Sequence, residues 1–122
     1  MPVEPTSGEL ERFRERTGAQ PLVLVQLLRF LPGGRERYLE YSRAAQQLVA
    51  RVGGQVLYAG ECVQPLLAPD GATWDAVVLV RYPSGAAYLE LLDDPAYQAV
   101  APLRRAALRE VVLLPMNDWP AR

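Results

Sequence analysis

The chain contains no histidine, no lysine and no isoleucine, and it has a single cysteine, Cys62. Without histidine it lacks the commonest general base and the commonest metal ligand. A histidine-ligated haem, a Ser–His triad and a Cys–His pair are excluded. Without lysine no Schiff-base mechanism is open. One cysteine cannot form a disulfide within the chain. With no histidine to activate it, Cys62 reads as a small buried hydrophobe. All 13 cationic side chains are arginine, for which G+C-rich coding is the simple account. The net charge of −1 gives nucleic-acid binding little support. No apolar run reaches the ~18 residues of a membrane span. The N-terminus, Met1 to Thr6, carries Glu4 and no arginine, so a secretory leader is not expected and a cytoplasmic location is. Neither cofactor nor metal is expected.

What remains is enough for one globular domain. The length of 122 residues suits a single core, and half the residues are hydrophobic. The composition divides the chain into a tail and short helix over 1–20, a main domain over 21–115, and a C-terminal tail over 116–122. Residues 1–6 carry two prolines and read as a loose tail. Ser7 can cap a helix over 8–17, with Glu9 and Glu11 in its first turn and Gly18 at its C′ position. Leu10 and Phe13 give it a narrow apolar edge, as on a surface helix that leans on the main domain.

Residues 22–30 form a strand apolar on both faces, interrupted only by Gln26 and Arg29. Pro32, Gly33 and Gly34 end it, and a helix over 35–52 follows. Tyr38, Tyr41, Ala45, Leu48 and Val52 recur at three- and four-residue steps and make one stripe. Gly53 and Gly54 terminate it. This Gly-Gly pair follows a helix and precedes a strand, the reverse of a phosphate loop. Strands over 55–64 and 74–82 come next, separated by a Pro69-Asp70-Gly71 turn. Ser84 caps one helix, and Asp94-Pro95 restarts helix to about Leu108. A strand over 110–115 completes the domain, and Trp119 can pack the tail against it.

The order is βαββαβ behind an extra N-terminal helix, an α+β, ferredoxin-like arrangement with a four-stranded antiparallel sheet. Its first and third strands are central, and here they are the two most apolar on both faces. Helices cover one face of such a sheet. The other, left wet, would be an exposed apolar patch. A second copy of the chain is the simplest cover. Burying about ten such side chains would favour pairing by roughly 15–30 kcal/mol before entropic losses.

Leu27-Leu28-Arg29-Phe30, Tyr38 and Tyr41, Gly53-Gly54, Gly60, Trp74-Asp75, Tyr82-Pro83-Ser84, Asp94-Pro95-Ala96-Tyr97-Gln98 and Arg104 together resemble the DUF1330 family. The resemblance covers roughly residues 21–114 and rests on order and spacing. It implies a homodimer within the dimeric α/β-barrel superfamily, with two ferredoxin-like sheets facing each other. That superfamily includes cofactor-independent monooxygenases, isomerases, dehalogenases and haem-degrading enzymes, and members without known chemistry. Sequences of this kind often carry Asn where Gln26 stands.

Six residues are candidates for a ligand pocket between sheet and helices: Gln26, Tyr38, Tyr41, Asp75, Tyr97 and Arg104. Arg104 shares a helical stripe with Tyr97, Ala101 and Leu108, apart from Arg105 and Arg109. An inward arginine needs an anionic partner. It is either a clamp for a ligand carboxylate or enolate, or half of a salt bridge to Asp75, Glu61 or another inner acid. The three tyrosines either pack the core or turn hydroxyls toward a polar substrate. Gln26 either pins the sheet or lines the pocket. Arg29 suits an ion pair, Trp74 a packing plug. Two functions remain open. One is a pocket protein for a small acidic organic molecule, which as an enzyme would position its substrate and stabilise negative charge on it; the resemblance then implies a cofactor-independent monooxygenase or isomerase. The other is a non-catalytic structural or binding dimer. A cavity of ~300 Å³ or more beside Arg104 separates them.

Overall fold

The computed structural model describes residues 3–17 and 19–120. Its elements are α1 (Ser7–Thr17), β1 (Leu22–Phe30), α2 (Gly34–Arg51), β2 (Gln55–Glu61), β3 (Ala76–Tyr82), α3 (Gly85–Asp93), α4 (Pro95–Ala107) and β4 (Leu108–Met116). The four strands form one antiparallel sheet in the order β2-β3-β1-β4. This is the expected ferredoxin-like topology, with β1 and β3 central.

The alternation of side chains gives the sheet two unlike faces. Leu22, Leu24 and Leu28 of β1 point to the helices with Ala76, Val80 and Tyr82 of β3, and all six are buried. Tyr38, Ala45 and Leu48 from α2, Leu91 from α3, and Tyr97, Ala101 and Ala107 from α4 close over them. The opposite face carries Val23, Val25 and Leu27, Val77 and Leu79, Val112, Leu114 and Met116. No described helix covers it. Leu114 and Met116 are exposed and the others half-exposed.

Local chemistry sets the helix ends. Ser84 Oγ accepts from Ala87 N at 3.1 Å, and Asp94 Oδ1 accepts from Ala96 N at 2.8 Å, so both expected caps are in place. Gly53, at φ 82°, takes the left-handed conformation that ends α2. Gly34 serves close packing: a Cβ there would lie 2.1 Å from the Ala107 carbonyl oxygen, so its absence lets α2 approach the end of α4.

Several expectations require correction. The cap of α1 is Thr6, not Ser7. Thr6 Oγ1 accepts from Glu9 N at 3.1 Å, while Glu9 accepts from Thr6 N at 2.8 Å, a reciprocal box that starts the helix one residue early. Gly18 lies outside the described residues. Residues 3–6 are not a loose tail, because Val3 and Glu4 are held by α4. Cys62 is exposed: it follows β2, an edge strand that is itself exposed at nearly every position. The 55–64 and 74–82 strands are correspondingly shorter. Trp119 packs nothing, at 82% exposure.

Between β2 and β3 the chain makes a long loop, and Val63, Leu66 and Leu67 stand bare on it. Its far end is anchored by Arg29, on the helix-free face. The Arg29 guanidinium donates to the carbonyls of Gly71 (3.2 Å) and Thr73 (2.6 Å), pairs with Glu110, and lies 4.2 Å over the Trp74 ring. Arg29 thus makes the expected ion pair. Trp74, expected as a packing plug, is instead a platform for that guanidinium.

Candidate functional site

Helical spacing brings four of the six candidates together. Tyr38 and Tyr41 lie about one turn apart on the inner stripe of α2, Tyr97 and Arg104 about two turns apart on that of α4. The rings of Tyr38 and Tyr41 are 5.3 Å apart, those of Tyr41 and Tyr97 6.2 Å. The Tyr41 and Tyr97 hydroxyls share a hydrogen bond of 2.7 Å, in which either can donate. Burial pushes the Tyr38 phenol up to about 12, against the opposing pull of the Arg104 charge. Burial, with Tyr97 alongside, pushes Tyr41 higher still. Both are neutral phenols at physiological pH, able to donate and accept hydrogen bonds but not to act as ready bases.

Arg104 is 6% exposed. Its Nη1 donates to the backbone carbonyl of Val3. Among the described residues no carboxylate pairs with it. The expected salt bridges to Asp75 or Glu61 do not form. Asp75 is exposed just before β3, where its Oδ2 accepts from Phe30 N at 2.7 Å. Glu61 pairs with Arg35, which holds its carboxyl below the usual range. Both acids are spent on the sheet end, away from α4.

A cavity of about 370 Å³ opens beside Arg104, between α3, α4 and the N-terminal segment rather than between sheet and helices as expected, walled by Tyr97, Ala101, Tyr88 and Leu92 and bordered by Glu4 and Pro5. A larger cleft of about 1140 Å³ lies beneath α1, with Leu22, Leu24, Val111 and Leu113 of the helix-facing sheet among its walls. Glu4, Pro5, Leu10 and Tyr88 border both spaces. The extra helix α1 thus spans a cleft. At one end Phe13 meets the edge of Tyr88 at 5.8 Å, and at the other Val3 and Glu4 bind α4.

Tyr97 and Arg104 therefore line the smaller cavity, with Tyr38 and Tyr41 outside its lining. Gln26 sits half-buried on the helix-facing side of β1 between Val78 and Leu113, and lines neither space. Asp75 also stands apart. Sequence reasoning missed Tyr88 and the Val3–Pro5 segment. Tyr88 falls three residues before Leu91 on an apolar helical stripe, a legible signal. Nothing in a short proline-bearing segment announces that it folds back onto an arginine a hundred residues away.

A family model, domain of unknown function DUF1330, matches residues 33–116. The chain belongs to the DUF1330 family. The match begins after α1 and β1. The whole chain is similar to a crystallised protein of unknown function from Rhodopseudomonas palustris, 28% identical, covering 98% of each chain with a TM-score of 0.87. A dimeric protein of unknown function and ferredoxin-like fold from Bacteroides fragilis shares the fold alone: 10% identity, 80% of this chain and 96% of that one, TM-score 0.58. A protein from Arabidopsis thaliana is similarly distant, 18% identical over 83% of this chain and 98% of its own, TM-score 0.64. No curated protein matches the DUF1330 chain. Among the described residues no helix is long and apolar enough to cross a membrane, and no cluster of acidic residues and cysteine could hold a metal ion.

Proposed function

We propose that this DUF1330 protein is a homodimeric, cytoplasmic pocket protein that binds a small acidic organic molecule beside Arg104 in each subunit. One observation carries the ligand reading: Arg104 is a buried cation without a carboxylate partner among the described residues, on the wall of a cavity of about 370 Å³. Such a guanidinium is undercompensated by one neutral carbonyl and is suited to a carboxylate. The volume falls in the range of small-molecule sites. The Tyr97 hydroxyl, on the same cavity wall, can orient a polar substituent.

The dimer reading rests on the helix-free face of the sheet, whose centre is valine and leucine on β1 and β3. A second copy placed face to face would cover it. Arg29, on that side, holds the far end of the loop bearing Val63, Leu66 and Leu67, whose bare apolar side chains suit contact with a partner. An exposed lone cysteine accords with a reducing compartment.

Thermal-shift titration of the purified chain against a panel of small carboxylates, with matched alcohols and amides, tests the ligand reading. Stabilisation by carboxylates alone, lost on substitution of Arg104, is the expected result. No response to any acid overturns it.

A further inference from the structure

The segment beside the Arg104 cavity is itself shaped like a ligand: Glu4 and Pro5 border that cavity, and Val3 sits next to it on the guanidinium. The Val3 carbonyl accepts the hydrogen bond of the Arg104 guanidinium. The Val3 side chain packs against the cluster of Leu28, Tyr38, Ala107 and Leu108, beside Phe30, Tyr41 and Val111. One residue on, Glu4 accepts from Arg105 Nη1 at 2.8 Å. An oxygen acceptor and a branched apolar group a few atoms away thus fill the place where sheet and helices meet a buried cation. The acceptor is neutral, and a carboxylate oxygen on the same guanidinium would make the stronger, charge-assisted bond. The latch is weak, since Glu4 and Arg105 are both substantially solvent-exposed and such pairs contribute little. Withdrawal of the segment would also join the two spaces that Glu4 and Pro5 now border.

We infer that Val3 and Glu4 are a built-in occupant of the Arg104 site, displaced by a monocarboxylate with a compact branched or aromatic apolar group. The inference rests on the proposed ligand reading and adds the class of acid and the competitor it must expel. A site partly held by its own chain shows an affinity lowered by the fraction of time it is closed.

The test compares the full chain with a chain beginning at Thr6, which keeps the α1 cap, and with a full-length Val3→Gly, Glu4→Gln variant that loosens the segment without shortening it. The probes are 3-methylbutanoate and benzoate, with 3-methylbutanol and acetate as controls, by calorimetry. The Val3 methyl resonances of the full chain are followed during titration. The expected result is binding of both branched and aromatic acids about ten-fold tighter or more in either variant. The alcohol should not bind, acetate should bind weakly, and the Val3 methyls should shift on saturation. Equal or weaker affinity in both variants, with unmoved Val3 methyls, overturns the inference. If the acids then still bind in an Arg104-dependent manner, the pocket reading stands without it. Binding of none of the acids to any form overturns both.

Discussion

Tyr41 and Tyr97 meet hydroxyl to hydroxyl at 2.7 Å, and this bond ties α2 to α4 directly above the sheet. The bond is part-buried, and each hydroxyl is the other's side-chain partner. Tyr41→Phe or Tyr97→Phe leaves one phenol unmatched and is expected to destabilise by about 1–3 kcal/mol. The double substitution should cost clearly less than the sum of the two. Denaturant unfolding of the four proteins measures the coupling. Strict additivity would mean that the bond does not form.

Arg104→Met keeps the apolar stem and removes the cation. Its Val3 bond is charge-assisted, but a buried cation without a carboxylate is also costly, so the net change in stability should be modest, within about 2 kcal/mol. Carboxylate binding should fall at least ten-fold. A large loss of stability with carboxylate binding unchanged would mark Arg104 as structural.

The buried tyrosines give the fold an alkaline limit. Burial raises Tyr38 from 10.0 to about 12 and also raises Tyr41, Tyr82 and Tyr88. Between pH 10 and 12 the unfolded chain loses the Tyr38 proton and the folded chain keeps it. The folded state then binds more protons, so stability is intact below the unfolded pKa and falls as pH rises through this window. Tyr38 alone accounts for on the order of 3 kcal/mol. Phenolate absorbance should therefore appear for the buried tyrosines together with unfolding. Their ionisation in a still-folded chain near pH 10 would contradict the burial.

The helix-free face predicts the assembly. Val25→Glu places a charge at the centre of that face without touching the helix-packed core, and should convert a dimer to a soluble monomer. Leu66→Ser with Leu67→Ser should weaken the dimer without abolishing it, since each buried leucine is worth about 1.5–3 kcal/mol. Light scattering over a concentration series reads both. A wild-type chain monomeric at micromolar concentration would refute the dimer.

Much of the architecture was readable because its signals are local. The two-residue period of β1 and β3, the stripe of α2, and the caps at Ser84 and Asp94 depend on neighbours within a few positions. The inward placement of Arg104 followed from the same helical geometry. Its partner did not: Asp75 and Glu61 were plausible acids by type, but each is spent at a sheet end on Phe30 and Arg35. Cys62 reads as a core residue by type, and only the place of β2 at the exposed sheet edge puts it in solvent.

The sequence by itself therefore determined the order of elements, the two-faced apolar sheet and the chemistry the chain cannot perform, because periodicity and composition are carried by adjacent residues. Tertiary structure alone decided that Val3 closes over Arg104, that α1 spans a cleft, and that the Tyr41 and Tyr97 hydroxyls meet. Each of these joins residues far apart in the chain, and such pairings are chosen by the packing of whole elements rather than by any local preference.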